Sequence, residues 1–153
     1  YCLWLFEGVV MIEKFQYYLD ENLAKKEKAD KEEAKSLMNK AVQRLDYIKK
    51  QEINEFTSSF IFEDIYETLR EASQSLMSLK GYKPYSHEAL ISFLREFYKF
   101  SEAEISNFDR YRILRNKTVY SATKVSVEVC KEALKFLENF LPKLKREFEK
   151  EAK

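Results

Sequence analysis

The sequence predicts an all-α protein, an antiparallel up-and-down bundle of about five to six helices. Three observations predict it. Only two Gly and two Pro occur in 153 residues, and so few chain breakers favour long helices with short connections. Apolar residues recur at three- and four-residue spacing along most of the chain. No useful stretch alternates with the period of two that a half-buried strand requires. The length suits a single domain, 1–153, with enough surface to bury for a proper core.

Residues 1–28 read as an N-terminal helical extension, with Leu5, Val9, Ile12, Leu19 and Leu23 at helical spacing. Its opening, "YCLWLFEGVVMI", is the most apolar stretch, but it is short and carries Glu7 and Gly8. It falls below the roughly 18 to 20 apolar residues that a membrane span needs. It also lacks the basic start and small-residue cleavage site of a signal peptide. Trp4 and Leu5 are expected to bury against the body or a second subunit, and the absence of a targeting signal predicts a cytoplasmic protein.

"KKEKADKEEAK" interrupts the pattern with charges of both signs and reads as a solvated turn. Asp30 followed by Glu33 has the form of an N-cap with a returning carboxylate, opening a second helix with Leu37, Met38, Ala41, Leu45 and Ile48 on one face. A third helix, roughly Glu55 to Leu79, stacks Ile61, Ile65, Leu69, Ala72 and Leu76. Gly81 stands as its C-cap and Pro84 bars continuation. Ser86 caps a fourth helix bearing Leu90, Phe93, Leu94 and Phe97, and "SEAE" at 101–104 is a capping box for the fifth. Ser126 opens the last, whose inward face is Val129, Ala133, Phe136, Leu137, Phe140 and Leu144. Pro142 is expected to kink or break it.

Lys+Arg 27 against Asp+Glu 26 leaves a net charge of +1, so any basic site must be local. Cys2 and Cys130 are too few for a disulfide framework and lack metal spacing, which suits idle thiols in a reducing cytosol. No Gly-rich phosphate loop, Ser-His-Asp series or metal-spaced set occurs, and no metal or cofactor is expected. Dense Lys and Glu fit a heat-adapted, archaeal-like host. Among the aromatics, Phe60, Phe62, Phe93, Phe97, Phe136 and Phe140 are assigned mostly to the core. Tyr17, Tyr18 and "GYKPY" are candidates for stacking or subunit surfaces.

The fifth helix carries the functional question. In "YRILRNKTVYS", Arg112, Arg115 and Asn116 share a stripe with Ile105, Phe108 and Val119, where a bundle should aim apolar side chains. A guanidinium keeps its charge at any accessible pH, and burying it unpaired is expensive. The stripe therefore needs carboxylates, a polar cleft or an anionic ligand. Asp64, Glu67 and Glu71 on the third helix offer an acidic stripe that would pair with Arg112 and Arg115 and hold helix register. The other reading is a groove in which Arg115 grips phosphate bidentately with amide help from Asn116. Both readings can hold at once.

"RNKTVY", preceded by "FDRYRIL" and followed by a Ser-capped terminal helix, resembles the signature region of the HEPN superfamily. "SSFIFEDIYETLREASQSLMSLKGYKPYSHEALISFL" resembles the helix pair that precedes it there. The resemblance covers roughly residues 35–148. It implies a small helical bundle, a homodimer, and RNA or nucleotide as ligand. It further implies a toxin–antitoxin setting with a minimal nucleotidyltransferase as the antitoxin partner. In ribonuclease members an Arg and a His from two subunits meet across the dimer interface to cleave RNA. Arg115 and Asn116 match the Arg-Asn pair, but Tyr120 stands where that His would be.

The departure weighs against cleavage. Imidazole titrates near neutrality, whereas a phenol, with a pKa of ~10, needs a large shift to act as base. Tyrosine can still donate to a phosphate or stack on a base. The candidate site is therefore Arg115 and Tyr120 as the catalytic pair by resemblance, with Arg112, Asn116, Glu67 and Glu71 as ligand-binding neighbours. The lone histidine, His87, reads as a cap-region residue of the fourth helix, and alternatively as a substitute proton carrier. Two further readings stand beside the binding one. The first is a metal-independent ribonuclease using Tyr120 or His87; the second is a protein-interaction module with its arginines locked in internal ion pairs.

Overall fold

The computed structural model describes residues 12–153. These residues form an all-α bundle with one small ribbon: α1 (Phe15–Asp20), β1 (Ala24–Lys26), α2 (Lys31–Lys49), α3 (Ser58–Lys80), β2 (Tyr82–Pro84), α4 (His87–Phe97), α5 (Glu102–Ser121) and α6 (Val127–Glu151). The expectations placed on Trp4, Leu5 and Val9 lie outside the described residues.

The predicted first helix does not run to Lys28. It stops at Asp20 because Asn22 takes a left-handed conformation, φ 59°, which a short amide side chain tolerates. The Leu23 N–H then reaches back to the Tyr18 carbonyl at 2.8 Å and the Asn22 N–H to Leu19 at 3.3 Å, a Schellman closure. The chain continues as β1, antiparallel to β2, with Lys25 opposite Lys83. Three residues a side are too few for alternation to register, which is why the ribbon escapes a periodicity search.

Capping chemistry sets most other boundaries. The Asp30 side chain accepts the Glu33 N–H at 2.9 Å, but the Glu33 carboxylate does not return; it accepts from the Ser78 hydroxyl on α3 instead, at 2.9 Å. Ser86, Ser101 and Ser126 cap α4, α5 and α6, and Ser101 with Glu104 closes the full box. α3 begins at Ser58, later than expected, because the Asn54 side chain accepts from the Phe56 and Thr57 N–H groups and holds a turn there. α6 runs unbroken past Pro142. That residue and Glu138, whose carbonyl loses its helical donor, are both exposed, so water replaces the lost bond.

α3 is the hub. It packs on α2, α4, α5, α6 and β2, and fourteen of its residues are buried. Small side chains at Ala34, Ala41, Ala72 and Ser75 are fully buried along the α2–α3 contact. Ser75 donates to the Ala34 carbonyl at 2.6 Å, tying the two helices. Phe62, Phe93 and Phe140 are core as expected, but Phe60 is 62% exposed and Phe97 37%. No helix among the described residues is long and apolar enough to cross a membrane.

Candidate functional site

The stripe on α5 climbs from core to surface. Ile105 and Phe108 are buried, Arg112 is 7% exposed, Arg115 and Asn116 are half-buried, and Val119 and Tyr120 are exposed. The first arginine is fully matched: Arg112 Nη1 donates to Glu88 Oε1 at 2.7 Å and Nε to Asp109 Oδ1 at 2.6 Å. The acids predicted for this role sit elsewhere. Asp64 and Glu71, seven residues apart, lie nearly in line on α3 and face α2. There Arg44 holds Glu71 through Nε–Oε1 at 3.0 Å and Nη2–Oε2 at 3.4 Å, and lies 3.5 Å from Asp64. Lys40 adds a further contact to Glu71 at 3.4 Å. Glu67, about 60° round the helix, is gripped by Arg70, whose hydrogen bond chiefly holds its carboxyl below the usual range. Arg115 also lowers it, as a smaller contribution.

Among the described residues, no carboxylate lies within 4.0 Å of Arg115. The half-buried or buried arginines among the described residues are Arg44, Arg70, Arg95, Arg112 and Arg115, and the first four each have a carboxylate within 4.0 Å. Arg115 has only the Asn116 amide oxygen, at 3.4 Å from Nη1, and the face of Tyr66, whose ring centroid is 5.8 Å from the guanidinium carbon. A partly desolvated guanidinium without a counter-ion retains the capacity to accept an anionic partner bidentately.

Tyr66 links this arginine to the histidine. Its hydroxyl lies 2.7 Å from His87 Nδ1, with the two rings near parallel at 9° and centroids 5.4 Å apart. The phenol is 1% exposed, and burial pushes its pKa up. A buried O–H must find an acceptor, and Nδ1 is the partner present, so the phenol donates and the imidazole proton resides on Nε2. Burial first, then the charges of Arg115 and Arg70, lower the His87 pKa to about 4. The imidazole is thus neutral near pH 7. It walls a hollow of about 160 Å³ together with Arg70, Gln74, Tyr85 and Ser86.

The fold therefore brings Arg115, Asn116, Tyr66, His87 and Arg70 into one neighbourhood, with Glu67 at its edge. Tyr120 does not join it within one chain: five residues beyond Arg115, it points about 140° away and is 77% exposed. Glu71 is on the opposite flank of α3. Tyr66 escaped sequence reading because nothing separates it from an ordinary core aromatic next to Ile65. Arg70 escaped because its i−3 partner Glu67 disguises it as half of a helix-surface pair. No cluster of His, Cys, Asp and Glu suited to a metal occurs among the described residues. Comparison with protein-family models, curated proteins and solved structures gives no match.

Proposed function

We propose that this chain is an HEPN-like helical bundle that binds RNA or a nucleotide through Arg115 and Asn116, and that it does so as a homodimer. The observation that carries the reading is that no carboxylate among the described residues pairs with Arg115, set against the two that saturate Arg112 three residues earlier. A phosphate supplies the absent charge and accepts the guanidinium fork bidentately. Dimerisation draws support from Phe56, Phe60, Val119 and Tyr120, which are 81%, 62%, 45% and 77% exposed. Phe56 and Phe60 line one hollow with Thr118 and Ala122, at the end of α5 that carries the motif. Such apolar exposure marks an association surface, and it would bring Tyr120 of each copy toward a shared cleft. A toxin–antitoxin role with a minimal nucleotidyltransferase partner belongs to the same proposal through the resemblance.

Arg115→Ala should reduce retention of single-stranded RNA in a filter assay by roughly tenfold or more, with an unchanged melting temperature. Equal retention by both proteins removes the reading.

The ribonuclease alternative is favoured in one respect: His87, not Tyr120, stands beside Arg115. Yet an imidazole with a pKa of about 4 is a weak base at neutral pH, which supports binding over cleavage. Incubation of labelled RNA with the purified chain and a chelator tests this. Cleavage that His87→Gln abolishes would promote the enzyme reading.

A further inference from the structure

The β1–β2 ribbon carries a pattern that its own fold does not require. Its inner face packs on the core: Ala24 is buried and Tyr82 meets Phe15, Phe93 and Phe97 edge-on or tilted. Its outer face places Lys25 directly opposite Lys83, and both are exposed. Like charges paired across strands are destabilising. Neither ammonium has a carboxylate within 4.0 Å among the described residues, although the chain carries 26 acidic residues. Two residues along the same face stands Tyr85, 56% exposed, with Lys83 Nζ 5.9 Å from its ring centroid. The same tyrosine forms one wall of the hollow shared by Arg70 and His87. A strip thus runs from a paired ammonium site, over an open aromatic plate, into the neighbourhood of Arg115.

We infer that this ribbon is a second contact for the ligand of Arg115, and that the ligand is single-stranded RNA several nucleotides long rather than a free nucleotide. The inference rests on the proposed function. A phosphate between Lys25 and Lys83 turns their repulsion into attraction. Tyr85 supplies the flat surface on which one base stacks, and the backbone continues toward the unmatched guanidinium. Two phosphate contacts with a base-stacking plate between them suit a strand of several nucleotides better than a mononucleotide. A duplex hides its base faces from Tyr85, and an acidic peptide makes no use of the aromatic plate.

The test uses the full chain and a fluorescein-labelled oligouridylate of about a dozen nucleotides. Affinities are read by anisotropy across a salt series for wild type, Lys25→Gln/Lys83→Gln, Tyr85→Ala and Arg115→Ala. The double variant should bind about tenfold more weakly. Its slope of log affinity against log salt should fall by about 0.7, the contribution of the one phosphate held between the two lysines on a single strand. Its melting temperature should not drop, because a repulsive pair has been removed. Tyr85→Ala should weaken binding with little change in slope. If Arg115→Ala weakens binding while the double variant does not, the ribbon inference fails and the Arg115 reading survives. If wild type does not bind the oligonucleotide, both fall. If an oligoglutamate competes as well as unlabelled oligouridylate, the strip is an acidic-protein surface and the inference is overturned.

Discussion

Tyr66 Oη and His87 Nδ1 stand 2.7 Å apart across the α3–α4 contact, and this bond fixes the only imidazole of the chain in one tautomer. A single histidine gives one set of imidazole signals, so its titration can be followed by NMR without residue assignment. The midpoint should lie near about 4 instead of the ordinary 6.5. Arg115→Ala should move it upward by removing the largest nearby positive charge. The stability consequence has a definite sign. Above pH 6.5 folded and unfolded chains both hold a neutral imidazole, and His87 contributes no slope. As pH falls from 6.5 toward 4 the unfolded chain takes up a proton that the folded one refuses, so stability declines over that window and levels off below it. His87→Gln should flatten this part of the profile in urea titrations. A wild-type midpoint near 6.5 would show that the imidazole is solvated and unconstrained.

Arg112 should behave as a structural residue. It is 7% exposed and bonds Glu88 and Asp109. Breaking a buried pair from one side commonly costs several kcal/mol. Here the orphaned carboxylates are 38% and 20% exposed and regain some water, so Arg112→Leu should cost about 2 kcal/mol, below the ~3–5 kcal/mol of a fully buried pair. RNA affinity should drop far less than in Arg115→Ala. A larger binding loss in Arg112→Leu, with stability unchanged, would reverse the roles of the two arginines.

Gly81 joins α3 to the ribbon at φ 80°, and a Cβ built there would stand 2.5 Å from the Glu27 carbonyl oxygen. A left-handed alanine costs about 1 kcal/mol before any contact, and the approach to backbone adds to it. Gly81→Ala should lose about 3 kcal/mol and lower the melting temperature by roughly 6 to 12 °C. A change under about 1 °C would mean that the β1–α2 connection yields freely.

Phe60→Glu places a charge in the exposed aromatic patch at the N-terminal end of α3. Because the side chain is already 62% in solvent, the fold should keep its melting temperature to within a few degrees at equal concentration of monomer. Sedimentation should shift from dimer to monomer. A wild type that sediments as a monomer at all concentrations would remove the dimer from the proposal.

Much of the fold was legible because it is written locally. The serine caps at 86, 101 and 126, the glycine stop at 81 and the apolar faces of α2 through α6 depend on residues within a few positions of one another. What depends on partners distant in sequence was not legible. The sequence offers Asp64, Glu67 and Glu71 as one acidic stripe, but Asp64 and Glu71 face Arg44 while Glu67 turns to Arg70, and which helix each faces is a matter of rotation about the α3 axis. That rotation is set by the contacts of Glu71 with Arg44 and of Ser75 with the Ala34 carbonyl, both on α2. Likewise the site's second half, Tyr66 with His87, joins residues 21 positions apart that carry no shared motif. Arg115 and Asn116 could be read as candidates from residue type and helical angle alone. Tyr120 followed from the resemblance, and in a single copy it stands apart from them.

The central position of α3 has a dynamic consequence. Tyr66 is anchored on the helix that every larger described element contacts, so the floor of the arginine–histidine neighbourhood should open only when the described bundle unfolds. Amide exchange along its middle turns should be as slow as global unfolding allows, while the ribbon, held by few bonds at the edge, should exchange through frequent small openings. A rigid anvil beneath a yielding hinge lets a strand settle at the edge first and be locked against an unmoving cation second.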